Sequence, residues 1–448
     1  MVVKDLIKKN LFVIILFSLA LTVFLIQHSS GMSWDFICYV LNARYYLGSS
    51  FYFEPFRPPL TSILLILLGF GTLFSEYSYI IFVSALHLFS SYKFCKVYKL
   101  NFKIFYAVSI TPSSLLLGLF AGTELLSLAL LQLFIAYLGS WRSGLLLGLA
   151  SLTRYTNLSY TIILFFNKHF KKIIKPLIVL ILVLTPWLLF NWLNYGDPLL
   201  NIIDQYAQNI GLRAYLMKPP NLLDFVYFFN YTLPLIPLAV LHKFKNKISK
   251  IDIVMIFSLI FEIYSFIRIP LREPRYLFAA IMPASYFITK WLGGIRRAKL
   301  VPITALIITI ALMIIYLPYL ALINVDYYKP ALNSVDNCMI MSNAWVYINY
   351  FGFPAMPFPY EEQINSRINE GYRLLLYKWV VEPDYVFNDS FISQFKIIAN
   401  ESGYYLLGDS SICKTPYVYD LPFLWAYSGN NLEIHGYGFN YTIWNLLG

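Results

Sequence analysis

Apolar runs recur from Leu11 to about Asn324, cut by short polar stretches. A helix needs about 20 apolar residues to span a bilayer core. The runs fall near 11–26, 60–74, 77–92, 104–121, 124–139, 143–153, 156–166, 176–193, 223–241, 251–269, 275–292 and 300–323. The pair 143–153 and 156–166 is short for full crossings. If 60–74 crossed, the cluster Lys93, Lys96, Lys99 and Lys103 would lie outside, so 60–74 reads as re-entrant or surface-lying. The pattern then predicts an all-α polytopic membrane domain of about 11 transmembrane helices over residues 1–323.

The pattern changes at Asn324. Residues 324–448 mix Asn, Ser, Gly and acids with short apolar runs, and read as a separate extracytoplasmic domain of ordinary size. Cys338-Met339-Ile340-Met341 predicts a buried strand, Tyr360 to Asn369 a polar helix stopped by Gly371, and Tyr372 to Trp379 a strand. Asp384-Tyr385-Val386-Phe387 and Tyr404-Tyr405-Leu406-Leu407 are further strand candidates, with a helix expected around Ile392 to Ala399. Alternating strands and helices make this a small α/β domain.

Composition agrees with the membrane reading: 59% of the 448 residues are hydrophobic and 13% charged, with mean hydropathy +0.62. The net charge of +11 raises the question of nucleic acid. The basic residues instead cluster between apolar runs, as the positive-inside rule requires, so no nucleic-acid partner is expected. Lys4, Lys8 and Lys9 place the N-terminus in the cytoplasm. Arg142, the Lys168 to Lys175 cluster, Lys243 to Lys250 and Arg296-Arg297-Lys299 then fall inside as well. Asp35, Glu54, Glu124, Arg154, Asp197, Asp204, Arg272, Glu273 and Arg275 fall on the outer face. The run from Leu11 to Ile26 lacks a small-residue cleavage site and reads as an uncleaved first span. No phosphate-cradling glycine motif is present, which argues against a nucleotide donor.

The first outer loop, Gly31 to Leu60, carries the most specific chemistry. Asp35 opens a short amphipathic stretch with Phe36, Tyr39, Val40 and Ala43 at helical spacing. Glu54 follows in an aromatic run, and Arg57-Pro58-Pro59-Leu60 ends the loop in an extended conformation. On residue type alone a loop acid is solvated. Here Trp34, Phe36 and Tyr39 predict an aromatic, partly desolvated setting that would raise its basicity. A first span, an outer Asp, an amphipathic helix and a basic-Pro-Pro-Leu end together resemble the first external loop of GT-C glycosyltransferases. These membrane enzymes, the protein O-mannosyltransferases and aminoarabinose transferases among them, use polyprenyl-phosphate sugars. Arg272-Glu273-Pro274-Arg275-Tyr276-Leu277 resembles their late charged signature, and Thr123-Glu124 their Thr-Glu turn.

The resemblance implies transfer of a sugar from a polyprenyl (dolichyl-type) phosphate to an extracytoplasmic lipid, glycan or protein acceptor, with inversion. Asp35 would be the general base, and one carboxylate suffices because a lipid phosphate leaves as a stable anion. Arg154, Arg272 and Arg275 would bind the donor phosphate, since guanidinium forks suit phosphate oxygens. Glu54, Glu124 and Glu273 are acceptor or metal candidates. Many protein O-mannosyltransferases carry adjacent acids where this chain has Asp35-Phe36, which weakens a metal held by that pair. A magnesium or manganese ion stays open as the one cofactor to consider.

Bland readings stand beside these. Glu124 can serve a helix start capped by Thr123, Arg154 can snorkel from a helix end, and the 272–275 charges can form a structural ion cluster. A transporter or flippase of lipid-linked sugars is the alternative class, but it would place its charges at mid-membrane in broken helices. The five histidines show no metal-ligand spacing. Cys338 and Cys413, both in the outer domain, are expected to form a disulfide, with Cys38 left over.

Overall fold

The computed structural model describes residues 2–166, 169–206, 219–245, 247–270, 272–295, 298, 300–316, 324–358, 361–380, 389–401 and 403–420. Side chains are described from residue 11 onward, except at 361–362, 389 and 419–420. The candidate strand 384–387, the basic residues Lys168, Arg296, Arg297 and Lys299, and His435 lie outside the described residues. Two compact units form. One comprises Met1–Ser30, Pro58–Thr61 and Tyr77–Leu322, the other Gly31–Arg57, Ser62–Glu76 and Ile323–Gly448. The last segment of the second unit begins at Ile323, and the same unit takes in most of the Asp35 loop, which the composition does not reveal.

The first unit is helical. Among the described residues three helices are long and apolar enough to cross a membrane: Leu11–Ser30, Leu73–Tyr98 and Lys171–Tyr195. Leu222–Thr232 and Leu235–Phe244 make a fourth candidate, bent by 74° at the break. Other expected spans are shorter or divided. The 104–121 run splits into Phe102–Ser109 and Pro112–Leu117, because Thr111 caps a new start and Pro112 sits in its first turn. Residues 156–166 belong to a 3-10 helix, Tyr155–Phe166. The 251–269 run is the helix Lys250–Arg268. The 275–292 run divides into a 3-10 turn, Pro274–Ala280, and the helix Ile281–Leu292. Val301–Tyr316 closes this unit's described helices. The Lys171–Tyr195 helix turns Ile178, Ile181, Leu182 and Leu193 outward, the apolar exterior that lipid favours.

Two features hold these helices in place. Gly144 and Gly148 let the Trp141–Thr153 helix approach the Lys171–Tyr195 helix: a Cβ at Gly144 would stand 2.0 Å from the Pro176 carbonyl oxygen, and one at Gly148 2.7 Å from Val183. Asp252, fully buried in the first turn of Lys250–Arg268, accepts from Tyr286 Oη at 2.7 Å and pairs with Lys290 at 2.9 Å and Lys243 at 3.2 Å. A buried carboxylate persists only when compensated in this way. Three helices, Leu235–Phe244, Lys250–Arg268 and Ile281–Leu292, are thereby tied together.

The second unit begins with the helix Trp34–Tyr46, started by Ser33, whose side chain accepts from the Phe36 N–H at 3.2 Å. Strand β1 (Tyr52–Phe53) pairs in parallel with β7 (Tyr419–Asp420). A separate five-stranded sheet has the order β3-β2-β4-β6-β5. Its strands are β2 (Ile340–Ser342), β3 (Ala355–Pro357), β4 (Arg373–Tyr377), β5 (Ile397–Asn400) and β6 (Tyr404–Leu407). β3 and β4 flank β2 in parallel, and β6 runs antiparallel to β4 and β5. Pro357 is tolerated because β3 is an edge strand. The helix Glu361–Asn369 precedes β4.

One expected element changes type. The helix anticipated around Ile392 to Ala399 is a short helix, Asp389–Ile392, followed by β5. Ile397 and Ala399 pair with β6 as an edge strand, so a tertiary ladder overrides a sequence that periodicity leaves ambiguous. Cys338 and Cys413 are joined by a disulfide across 75 residues, with Cα atoms 5.3 Å apart. Arg373 lies buried beneath the same connection and donates to the carbonyls of Asp409 at 2.9 Å and Ile412 at 2.8 Å. Gly371, at φ +91°, is required there because a Cβ would meet the Cys413 and Lys414 backbone within 2.9 Å.

Candidate active site

Within the second unit the loop residues converge on Glu54. Its main chain is fixed to the Trp34–Tyr46 helix by Asn42, which donates to the Glu54 carbonyl and accepts from its N–H, both at 2.9 Å. The Glu54 carboxylate is buried. One oxygen accepts from Tyr52 Oη and from Cys38 Sγ, the latter at 3.2 Å, and the other accepts from Arg57 Nε. Arg57 Nη1 then reaches Asp35 Oδ1 at 2.9 Å. The guanidinium also faces the rings of Tyr39 at 5.4 Å and Phe56 at 5.7 Å.

Charge follows from this geometry. Burial pushes the Cys38 thiol well above its ordinary range; Arg57 pulls the other way, and the neighbouring acids Glu54 and Asp35 add to the rise. Cys38 therefore stays protonated and donates to Glu54. Burial works against the Arg57 cation, but the neighbouring carboxylates of Glu54 and Asp35 favour it, and its pKa lies above the ordinary arginine value. Asp35, 28% exposed, is thus the open end of an acid–guanidinium–acid chain. The sequence predicts an aromatic, partly desolvated setting for Asp35; the fold adds an ion pair beside it. Arg57 is far along the loop, and only the fold brings it back to the helix start.

Within the first unit a second charged group forms. Arg154, at the C-terminal cap of Trp141–Thr153, donates to Glu124 Oε1 at 2.7 Å. Thr123 does not cap the next helix with its side chain; instead its N–H and hydroxyl both reach Glu124 Oε2 at 3.3 Å. Glu124 is buried and serves as the counterion of Arg154. Arg275 pairs with Glu273 at 2.5 Å, as a glutamate set between two arginines leads one to expect. The guanidinium carbons of Arg154 and Arg275 both lie over the Tyr276 ring, at 5.7 and 5.5 Å. Arg272 is engaged differently: its Nη2 donates to the Ile267 carbonyl at 2.7 Å and closes the end of the Lys250–Arg268 helix.

Two residues of this group escape the sequence reading. Glu262 is buried in the Lys250–Arg268 helix and accepts from Tyr160 Oη at 2.6 Å. The signal was available, since an acid in the middle of an apolar run marks a functional or paired position by default. Tyr160 carries no such signal, being one of many aromatics.

A divalent cation fits these residues poorly. Each acid named for that role is held by an arginine: Glu54 by Arg57, Glu124 by Arg154 and Glu273 by Arg275. A guanidinium in contact supplies the charge that a metal would bring and repels a second cation. Among the described residues no group of three His, Cys, Asp or Glu side chains is placed to hold a metal ion.

No protein-family model matches the chain, and no curated protein matches it significantly. Two solved structures do. The crystal structure of ArnT from Cupriavidus metallidurans bound to undecaprenyl phosphate superposes with a TM-score of 0.65 at 10% identity, over 89% of this chain and 98% of that one. The same protein in its apo state gives 0.64 at 10% identity and the same coverage. At that identity the likeness is one of fold, and it spans nearly the whole length of both chains. The chain therefore has the fold of ArnT, the fold to which the resemblance of its first loop and its Arg272–Leu277 segment to GT-C glycosyltransferases points.

Proposed function

We propose that this protein is a membrane glycosyltransferase that moves a sugar from a polyprenyl-phosphate donor to an extracytoplasmic acceptor, with inversion and with Asp35 as general base. The observation that carries the reading is the Asp35–Arg57 pair: a partly exposed carboxylate at a helix start, held in one orientation by a guanidinium at 2.9 Å. The ArnT fold supports it, because that protein was crystallised with undecaprenyl phosphate.

In the reaction the acceptor hydroxyl or amide attacks the anomeric carbon as Asp35 takes its proton. The bond from that carbon to the phosphate oxygen breaks, and its electron pair leaves with the lipid phosphate. No general acid is needed, since the leaving group is a stable anion. Arg154 and Arg275, set over one tyrosine ring, are the candidates to hold phosphate and to strengthen their hydrogen bonds as its charge grows. Arg272, whose Nη2 donates to the Ile267 carbonyl, is the third candidate for the phosphate. Glu54, Glu124 and Glu273 are each held by an arginine, so the transfer is read as independent of a divalent cation bound by these glutamates.

The test is direct. Purified full-length protein in a lipid nanodisc is given a labelled polyprenyl-phosphate sugar and candidate acceptors, and release of polyprenyl phosphate is followed. Transfer from a nucleotide sugar in the absence of polyprenyl phosphate would refute the reading. A transporter of lipid-linked sugars is the second reading, favoured by the 74° break between Leu222–Thr232 and Leu235–Phe244. It predicts movement of the labelled lipid between leaflets with the sugar–phosphate bond intact.

A further inference from the structure

The sheet-bearing tail contributes a helix, Trp345–Tyr350, to the packing of the Asp35 helix within the second unit. The Trp345 ring meets Trp34 edge-on at 4.5 Å, and Tyr347 meets it at 5.6 Å, one residue before Asp35. At the other end Arg44 donates to the Tyr350 carbonyl at 2.6 Å and lies 4.7 Å over the Tyr350 ring. Arg44 also donates through Nε to the Gly71 carbonyl at 3.0 Å, and Tyr350 Oη donates to the buried Glu76 at 3.1 Å. Trp34–Tyr46 is thus gripped at both ends.

A hydrogen-bonded chain runs from this tail helix to the acid. Trp345 Nε1 donates to Tyr52 Oη at 3.4 Å. An indole N–H is a donor only, so Tyr52 must accept there and turn its own proton elsewhere. That proton goes to Glu54, whose second oxygen holds Arg57, which in turn holds Asp35. Tyr52, Glu54 and Trp345 are all buried, which keeps water from substituting for the bonds among these three.

We propose that Trp345 is a positioning residue for the sugar-transfer step: through Tyr52, Glu54 and Arg57 the tail domain sets the orientation of Asp35. The proposal rests on the reading of Asp35 as base. It gives the tail a role in the chemical step, separate from any part in holding an acceptor. Misplacing a reacting group by about 1 Å can cost about 100-fold in rate, so a bond chain that fixes a carboxylate is a reasonable object of such control.

The experiment uses full-length protein with four variants, Trp345→Phe, Tyr52→Phe, the double of these two, and Asp35→Asn. Phenylalanine at 345 keeps a ring against Trp34 and removes the N–H; phenylalanine at 52 removes only the hydroxyl. Single-turnover transfer from a polyprenyl-phosphate sugar is measured beside the Kd for undecaprenyl phosphate and the Tm. The expected result is a rate lower by about 10- to 100-fold in both phenylalanine variants, with Kd and Tm near the parent. The double variant should be no worse than the poorer single one, because both break the same chain. Parental rates in both phenylalanine variants with an inactive Asp35→Asn overturn this proposal alone. An active Asp35→Asn overturns the base assignment and this proposal with it. Parallel losses in Kd and Tm that account for the rate would also overturn it, as they mark a merely structural residue. If Trp345→Phe fails to fold, Tyr52→Phe decides.

Discussion

Arg57 Nη1 stands 2.9 Å from Asp35 Oδ1 while its Nε is bonded to Glu54, so one guanidinium joins a partly exposed acid to a buried one. Replacing Asp35 with asparagine keeps the shape and removes the proton acceptor. Transfer is expected to fall by about 10²-fold or more with normal expression and membrane insertion. Activity within a few-fold of the parent would move the role elsewhere, with Glu54 the next acid to examine.

Arg57 itself should tolerate lysine poorly. A planar fork serves two carboxylates at once, whereas a lysine ammonium on its flexible stem cannot hold both in the same geometry. Arg57→Lys is expected to lower kcat by about tenfold, and Arg57→Ala by more. Parental kcat in Arg57→Ala would remove the pair from the mechanism. Because Glu54, Glu124 and Glu273 are each engaged by an arginine, EDTA should leave parental transfer unchanged. Loss of activity with chelator, restored by magnesium or manganese, would show that a cation site exists after all.

Arg154 and Arg275 both lie over the Tyr276 ring, and replacing either should be felt by a lipid phosphate. Arg275→Lys is expected to hurt turnover and raise the KM for the donor, since a point charge cannot reproduce bidentate contact. Kinetics on the donor alone check this. Neutralising Arg154, Arg272 and Arg275 together without loss of turnover would exclude the site.

The Cys338–Cys413 disulfide closes a loop of 75 residues. In the loop-entropy account its removal by Cys338→Ala with Cys413→Ala should cost about 4 kcal/mol. Thermal unfolding of the tail's sheet, followed with and without reductant, measures it. Unchanged unfolding in both would show that the sheet does not depend on the link.

Gly144 faces the Pro176 backbone with no room for a side chain. Gly144→Val should force apart the helices Trp141–Thr153 and Lys171–Tyr195. A loss of about 1–3 kcal/mol is the usual scale for overpacking. Unaltered thermal stability in detergent would mean that the helices shift at no cost.

Hydropathy by itself determined much of this protein. Long apolar runs need a bilayer wherever they fold, basic clusters set the expected sidedness, and the change at Asn324 follows from the loss of those runs. The strands around Met341, Leu375 and Leu406 were legible because short apolar runs between turn residues have few other uses. The choice of Asp35 and Glu54 as notable residues also came from the sequence, since acids beside apolar runs stand out, and Glu273 was marked by its place between Arg272 and Arg275.

Partnership was decided only by tertiary structure. That Arg57 closes on Asp35, that Arg154 answers Glu124 thirty residues away and that Tyr160 answers Glu262 are long-range facts that no local periodicity encodes. The same holds for the strand at Ile397, whose type was set by pairing with β6, and for the breaks that divide several apolar runs. Above all, the tail's Trp345–Tyr350 helix and β7 join the Asp35 loop in one unit, although about 300 to 370 residues of chain separate them. Composition assigns each residue to water, lipid or core, but which buried polar group meets which is settled by three-dimensional complementarity, because each must find its partner where the fold delivers one.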